Sequence, residues 1–138
     1  GFRSLRSLTT GSGNTALGMH SLYSSTTAVY STAVGHEALY QSTGNLNTAV
    51  GFQSARATTS GAQNASFGAS SLFTNTTGSN NTAIGHVALG DNTTADNNTA
   101  IGYFALNANT TGENNTAIGV LMENNVIIKA KNITFVAC

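Results

Sequence analysis

The sequence predicts an all-β fold, a parallel β-solenoid (β-roll) of about seven to eight 17-residue coils. A phrase of the form Asn-Thr-Ala-Ile-Gly recurs along the chain, and its closing glycines are 17 residues apart, with one step of 16 between Gly35 and Gly51. A short fixed period indicates stacked units that contact mainly their neighbours. The repeat glycines are Gly18, Gly35, Gly51, Gly68, Gly85, Gly102 and Gly119.

Each unit has room for two short strands and their turns, but not for two helices. Thr, Asn and Gly are also poor helix formers. The first strand is predicted over Thr99 to Tyr103 and its equivalents, and a second, shorter strand at Ala105-Leu106. The segment Asn109-Thr-Thr-Gly112 has the composition of a turn.

Alternation along the first strand divides the phrase between two faces, with Thr and Ile on one and Ala and Gly on the other. We predict that the Ile face fills the interior of the coil together with a column of leucines. The Ala/Gly face, which is nearly free of side chains, would pack against a neighbouring chain or lie exposed. The predicted core residues are Leu22, Leu39, Leu72, Leu89, Leu106, Ile84, Ile101 and Ile118.

The first residue of the phrase is almost always asparagine, and Ser31 is the one exception. Stacked asparagine amides can hydrogen-bond along the axis of a solenoid, as they do in cross-β structures. The predicted structural ladder contains Asn14, Asn47, Asn64, Asn81, Asn98, Asn115 and Asn132.

The composition divides the chain into a repeat domain, residues 1–119, and a degenerate terminal coil or cap, residues 120–138. The segment Asn132-Ile-Thr-Phe135 keeps the 17-residue spacing, but Val136 takes the place of the glycine. The alternative is that residues 120–138 begin a different domain. Because no initiator Met or signal peptide is present and the chain begins in mid-phrase, we expect a segment of a longer protein.

The composition argues against several classes of function. Only 7% of residues are charged and the net charge is zero, which predicts no nucleic-acid partner. No apolar run approaches the ~20 residues of a membrane span, so no membrane insertion is predicted for this segment. No catalytic motif is present. His36 and His86 fall in one column but three coils apart, about 14 Å by the spacing of strands. We therefore predict no enzymatic activity, no cofactor and no metal site.

Pairs of hydroxyl residues, such as Thr76-Thr77 and Ser42-Thr43, form a row beside the turn. Regular threonine rows on a flat solenoid face can order water, so ice binding is one alternative function. Glycosylation sequons occur at Asn75, Asn92 and Asn109. Any Asn/Thr-rich repeat generates such sequons, and the sequence leaves their glycosylation open.

The phrase Asn-Thr-Ala-Ile-Gly, followed by Tyr or His, a variable residue, Ala and Leu, resembles the Ser-Val-Ala-Ile-Gly repeats of trimeric autotransporter adhesin heads. It is also similar to repeats of phage tail-fibre and other virion fibre proteins, and the resemblance covers residues 1 to 119. It implies a left-handed parallel β-roll that assembles as a homotrimer, located outside the cell, on the cell surface or on a virion. The 17-residue period is longer than that of the usual adhesin head repeat.

These observations lead to one expected function and two alternatives. We expect a structural or adhesive segment of an extracellular or virion fibre, whose partner is its own chain and whose host receptor or glycan the sequence does not identify. The first alternative is a subunit that polymerises end to end into a filament, since uncapped coils offer unpaired strand edges. The second is the ice-binding solenoid described above.

Overall fold

The computed structural model describes residues 1–120 and confirms the predicted all-β parallel solenoid. Seven strands form one sheet in chain order, and each pairs in parallel with the next, one strand per coil. The prediction of a terminal coil, including its ladder residue Asn132, falls almost entirely outside the described residues. The strands are β1 (Thr15–Leu17), β2 (Thr32–Val34), β3 (Thr48–Val50), β4 (Ala65–Phe67), β5 (Thr82–Ile84), β6 (Thr99–Ile101) and β7 (Thr116–Ile118).

In the register of the sheet, each residue of the phrase lies beside the equivalent residue of the next coil. Thr82 pairs with Thr99, Ala83 with Ala100 and Ile84 with Ile101. Because side chains alternate across a strand, this register gives each face of the sheet straight rows of like residues. Residues 1–120 contain no helix long and apolar enough to cross a membrane.

The predicted second strand is wrong. The segment after each glycine is a succession of turns in which two residues have positive φ, for example 55° at Phe104 and 49° at Leu106. An extended strand requires negative φ, so this segment curls instead of extending. Hydrogen bonds still join the coils there, since Leu72 N donates to Ala88 O at 3.0 Å and Leu89 N to Ala105 O at 3.0 Å.

The prediction for the leucine column is confirmed, but the assignment of the strand faces is wrong. The alanines at the centre of β2, β3, β5 and β6 are buried, whereas Ile84 and Ile118 point outward and Ile101 is only half-buried. The interior of a coil is narrow, and small side chains such as Ala88 and Ser71 line it beside the leucine. An isoleucine in place of the inward alanine would overfill this space. The leucines predicted in the core are all buried there: Leu22, Leu39, Leu72, Leu89 and Leu106.

The 16-residue coil lacks one exposed residue at its turn. Thr43 N donates to Thr59 O at 2.8 Å, which aligns Thr43 with the first hydroxyl residue of the following coil. Ser42 is buried and occupies the place that Asn75 takes two coils later. The sequence predicts Ser42 and Thr43 at the two positions of the hydroxyl pair, but in the structure Thr43 occupies the first of these positions. The second position, which the exposed Thr77 occupies in a later coil, is missing from this coil.

Candidate binding surfaces

The outward side of the sheet, which we call the sheet face, consists of the first and third residues of strands β1 to β7. The first residue is threonine in six strands and Ala65 in β4, and neither row contains a charged residue. Leu17 and Ile118 are 63% and 62% exposed. The seven apolar residues of the sheet face are Leu17, Val34, Val50, Phe67, Ile84, Ile101 and Ile118.

Exposed apolar residues also lie just before and just after the strands. Tyr30 and Leu46 precede the phrase, while Phe2, Phe52 and Tyr103 follow its glycine. Single exposed apolar side chains are ordinary, but contiguous apolar surfaces mark sites of interaction. The sheet face and these flanking side chains therefore form a candidate interface.

The predicted asparagine ladder is confirmed from Asn47 to Asn115, all of whose members are buried. Asn81 is typical: its Nδ2 donates to Asn64 Oδ1 at 3.2 Å and to Ala95 O at 2.9 Å. Its Oδ1 accepts the backbone N–H of Asn98 at 2.9 Å. Each side chain thus joins adjacent coils and satisfies buried backbone groups at the turn.

The start of the ladder follows the same pattern with a serine substituted. Asn14 Oδ1 accepts the backbone N–H of Ser31 at 2.9 Å. The Ser31 hydroxyl in turn accepts the backbone N–H of Asn47 at 3.2 Å. The hydroxyl therefore keeps the connection between coils where the phrase lacks its asparagine.

A second asparagine ladder lies at the turn, and sequence reasoning missed it. Asn92 Nδ2 donates to Asn75 Oδ1 at 2.9 Å, and Asn109 Nδ2 donates to Asn92 Oδ1 at 3.4 Å. These are the asparagines of the three Asn-Thr-Thr sequons, and Asn75 and Asn92 are fully buried. A glycan on either amide would remove the ladder and has no space in the folded coil. The signal in the sequence was the recurrence of Asn at one position of three successive coils.

The glycine column is explained by contacts within the chain. Gly85 has a φ of 135°, and a Cβ built on it would collide with the carbonyl oxygen of Gly102 in the next coil. The close backbone approach predicted for the Ala/Gly face therefore occurs, but the approaching backbone is the next coil of the same chain and not a partner chain.

Several hydroxyls of the turn row donate to the backbone of the next coil. Thr59 Oγ1 donates to Thr76 O at 3.0 Å, and Thr76 Oγ1 donates to Thr93 O at 3.0 Å. In contrast, the strand threonines on the sheet face, such as Thr82 and Thr99, make no side-chain hydrogen bond to another described residue. The turn row nevertheless contains exposed threonines such as Thr77 and Thr94, while the half-buried strand threonines lie beside the apolar row of the sheet face.

His20, His36 and Glu37 form a cluster whose possible metal-ligating atoms all lie within 4.8 Å of one another. Arg56 Nε lies 2.7 Å from Glu37 Oε2, and Gln53 Nε2 donates to the same oxygen at 2.8 Å. The hydrogen bond from Arg56 is the main reason that the pKa of Glu37 lies below its ordinary value, while partial burial acts in the opposite direction.

Sequence reasoning compared only histidines of one column, and it therefore missed this cluster. His86, which shares the column of His36, stacks on Tyr103 with a ring separation of 5.3 Å. His20 belongs to the neighbouring column, one coil before Glu37. Among residues 1–120, His20, His36 and Glu37 are the one group of three or more His, Cys, Asp or Glu side chains that lie close enough together to hold a metal ion.

Beside the cluster, aromatic and arginine side chains stack along a single column. The rings of Tyr23 and Tyr40 are 5.2 Å apart and nearly parallel. The guanidinium of Arg6 lies 5.6 Å from the Tyr23 ring centre, and that of Arg56 lies 5.2 Å from the Tyr40 ring centre. These contacts hold Arg56 where it also reaches Glu37.

No family model matches the chain, and no curated protein or solved structure shows significant similarity to it. The function is therefore argued from the surfaces themselves.

Proposed function

We propose that this chain is a structural segment of an extracellular or virion fibre and that it assembles as a homotrimer through the sheet face. The observation that carries the proposal is the outward row of Leu17, Ile84 and Ile118, which leaves large apolar side chains in water on an isolated chain. Burying that row would remove an energetic cost of about 25 cal/mol for each Å² of apolar surface.

A second copy of the same chain is the partner that fits this face. The sheet face repeats with the interstrand distance of about 4.8 Å, so a partner must have the same period to stay in register over seven coils. A second copy of the chain, aligned in parallel, has the same period because its coils are identical. The face carries no charge, so like copies meet there without repulsion.

The hydrogen-bonded ladders suit a role as a stiff spacer. From β1 to β7 there are six interstrand steps, which give a rod about 29 Å long at about 4.8 Å per step. Two asparagine ladders and the threonine row connect the same coils that the sheet connects. The resemblance of the phrase to adhesin head and phage tail-fibre repeats supports the same reading, with variable columns left to meet a host receptor or glycan.

The mass of the 138-residue chain in solution tests the proposal directly. Light scattering after size exclusion at micromolar concentration should give three times the monomer mass of 14.1 kDa. Ile84→Lys should convert the trimer to a monomer, because it places charges inside the interface. Thr94→Lys is the matched control, since Thr94 is exposed on the turn and outside the sheet face. A folded monomer of the unsubstituted chain would contradict the trimer.

Electron microscopy separates the trimer from the filament alternative. Isolated short rods are expected for the fibre segment at the same concentration. Long fibres of uniform width would instead indicate end-to-end addition of coils through their open strand edges.

Ice binding is a second candidate, because the strand threonines share the sheet face with the apolar row. Thr82 lies beside Thr99 of the next coil, and Ile84 lies beside Ile101. This register gives the sheet face a regular array of hydroxyl and methyl groups. A trimer would cover this array, so the two functions are exclusive for one face. Thermal hysteresis by a monomeric chain, lost in Thr82→Lys, would favour ice binding over the fibre.

A further inference from the structure

The solenoid brings His20, His36 and Glu37 together because residues one period apart lie side by side in adjacent coils. Glu37 is 17 residues after His20, and His36 precedes it directly. Hydrogen bonds fix the backbone at this corner: His20 N donates to Phe2 O at 3.0 Å, and Glu37 N donates to Met19 O at 3.0 Å. The three side chains therefore start from well-defined backbone positions.

Two imidazole nitrogens in the cluster are buried without a partner. His20 Nε2 and His36 Nδ1 are both inaccessible to solvent and make no hydrogen bond. A buried polar group without a hydrogen-bond partner destabilises the folded chain. A neutral imidazole offers one lone pair on a ring nitrogen. His20 and His36 each contribute one ring nitrogen to the group whose ligand atoms lie within 4.8 Å of one another. A bound cation would supply a partner for such nitrogens.

The carboxylate of Glu37 is oriented by its neighbours for a similar role. Both of its side-chain hydrogen bonds, from Gln53 and Arg56, end on Oε2. The other oxygen, Oε1, accepts no hydrogen bond from a described side chain. Outer partners of this kind commonly hold a metal-binding carboxylate in place.

We propose that His20, His36 and Glu37 bind one divalent transition-metal ion, with Zn²⁺ as the best match. Two imidazoles and one carboxylate, with a fourth position for water, are a ligand set that zinc prefers. Calcium, which takes six to eight oxygen ligands, does not fit this set. Tetrahedral bonds of about 2.0–2.2 Å place two ligand atoms about 3.3–3.6 Å apart. Side-chain rotations that shorten the present separations, which reach 4.8 Å, would therefore close the site.

The bound ion would join two coils of the solenoid. His20 belongs to the coil that begins at Gly18, and His36 and Glu37 to the coil that begins at Gly35. A ligand that binds only the folded chain raises its stability by an amount that grows with the logarithm of its concentration relative to its dissociation constant. We therefore expect zinc to raise the midpoint of thermal unfolding.

Calorimetric titration of the chelator-treated 138-residue chain with Zn²⁺ tests the site. One ion per chain is expected, and His20→Ala, His36→Ala and Glu37→Gln should each weaken binding at least tenfold. His86→Ala is the matched control, because His86 occupies the same column as His36 but stacks on Tyr103 away from the cluster. Cys138→Ser should also leave binding unchanged, which excludes the terminal thiol as the ligand.

Two further measurements show whether a lost signal reflects the site or the fold. Circular dichroism of each variant should match that of the unsubstituted chain. Titration with Co²⁺ should give visible absorption typical of four-coordinate nitrogen and oxygen ligation, absent in folded His20→Ala. Absence of one-to-one zinc binding, or binding that survives both histidine substitutions or disappears in His86→Ala, would overturn the proposal.

Discussion

Ala83 and Ile84 are neighbours in β5, yet Ala83 is fully buried and Ile84 is 40% exposed. The smaller side chain faces the interior because Leu72 and Leu89 of the adjoining coils already occupy much of the space there. The larger side chain is left for the sheet face. This arrangement reverses the usual relation between side-chain size and burial within one strand.

The two positions should respond differently to a change in volume. Ala83→Val adds two methyl groups to a filled interior and should lower the free energy of unfolding by about 1–3 kcal/mol. Ile84→Val removes one methylene from a side chain that lies outside the interior of the coil, so it should cost less, about 1 kcal/mol or below. Urea unfolding of both variants at one protein concentration measures the difference. Equal losses would contradict the inward assignment of alanine.

The asparagine ladder should contribute stability through the backbone groups that it satisfies. Asn81→Ala would leave Asn98 N without its partner, at about 1–3 kcal/mol for this buried group. It would also remove one of the two amide donors to Ala95 O, which keeps the hydrogen bond from Asn92 Nδ2. The matched control is Asn80→Gly, because Asn80 is exposed, adjacent, and tolerates glycine at its φ of 58°. Thermal unfolding should show a large decrease for the first variant and almost none for the second.

A methyl group on a repeat glycine should be poorly tolerated. Gly85→Ala would force a Cβ against the carbonyl oxygen of Gly102 and an L-residue to a φ of 135°, so we expect a loss of about 3 kcal/mol or more. Gly13→Asn is the control, because Asn80, Asn97 and Asn114 already occupy its column at similar φ. Its Cβ would displace the exposed ring of Tyr30, whose atoms are its nearest neighbours, and not a backbone group, so the loss should be smaller than that of Gly85→Ala. A mild effect of Gly85→Ala would mean that the coils are farther apart than the structure has them.

The sequence period was enough to predict the solenoid, the leucine column and the asparagine ladder, since each depends only on which residues recur. It was not enough to orient the strands. The alternation of side chains along a strand predicts that Thr82 and Ile84 share one face of the sheet. Which face is internal depends on the volume that is left inside the coil. That volume depends on the turns after Gly85, whose positive φ at Val87 and Leu89 has no simple sequence signal.

The cluster of His20, His36 and Glu37 was missed for a different reason. The period predicts neighbours along a column directly, but His36 and His20 lie in adjacent columns. The 17-residue period aligns Glu37 with His20, and His36 directly precedes Glu37 in the sequence. Comparing neighbouring columns as well as single columns would therefore have predicted that the three residues lie close together. The folded chain adds the burial of the imidazole nitrogens, which the sequence cannot reveal.

Positive φ at ordinary residues offers a way to stabilise the chain. Gln63 has a φ of 59° and an exposed side chain, and its column contains asparagine in three later coils. Asparagine adopts this left-handed conformation more readily than glutamine, so Gln63→Asn should raise the free energy of unfolding by about 0.5–1 kcal/mol. Gln63→Val should lower it, because a β-branched residue is strained there. Urea unfolding of the pair measures both, and a more stable valine variant would contradict the left-handed backbone at this position.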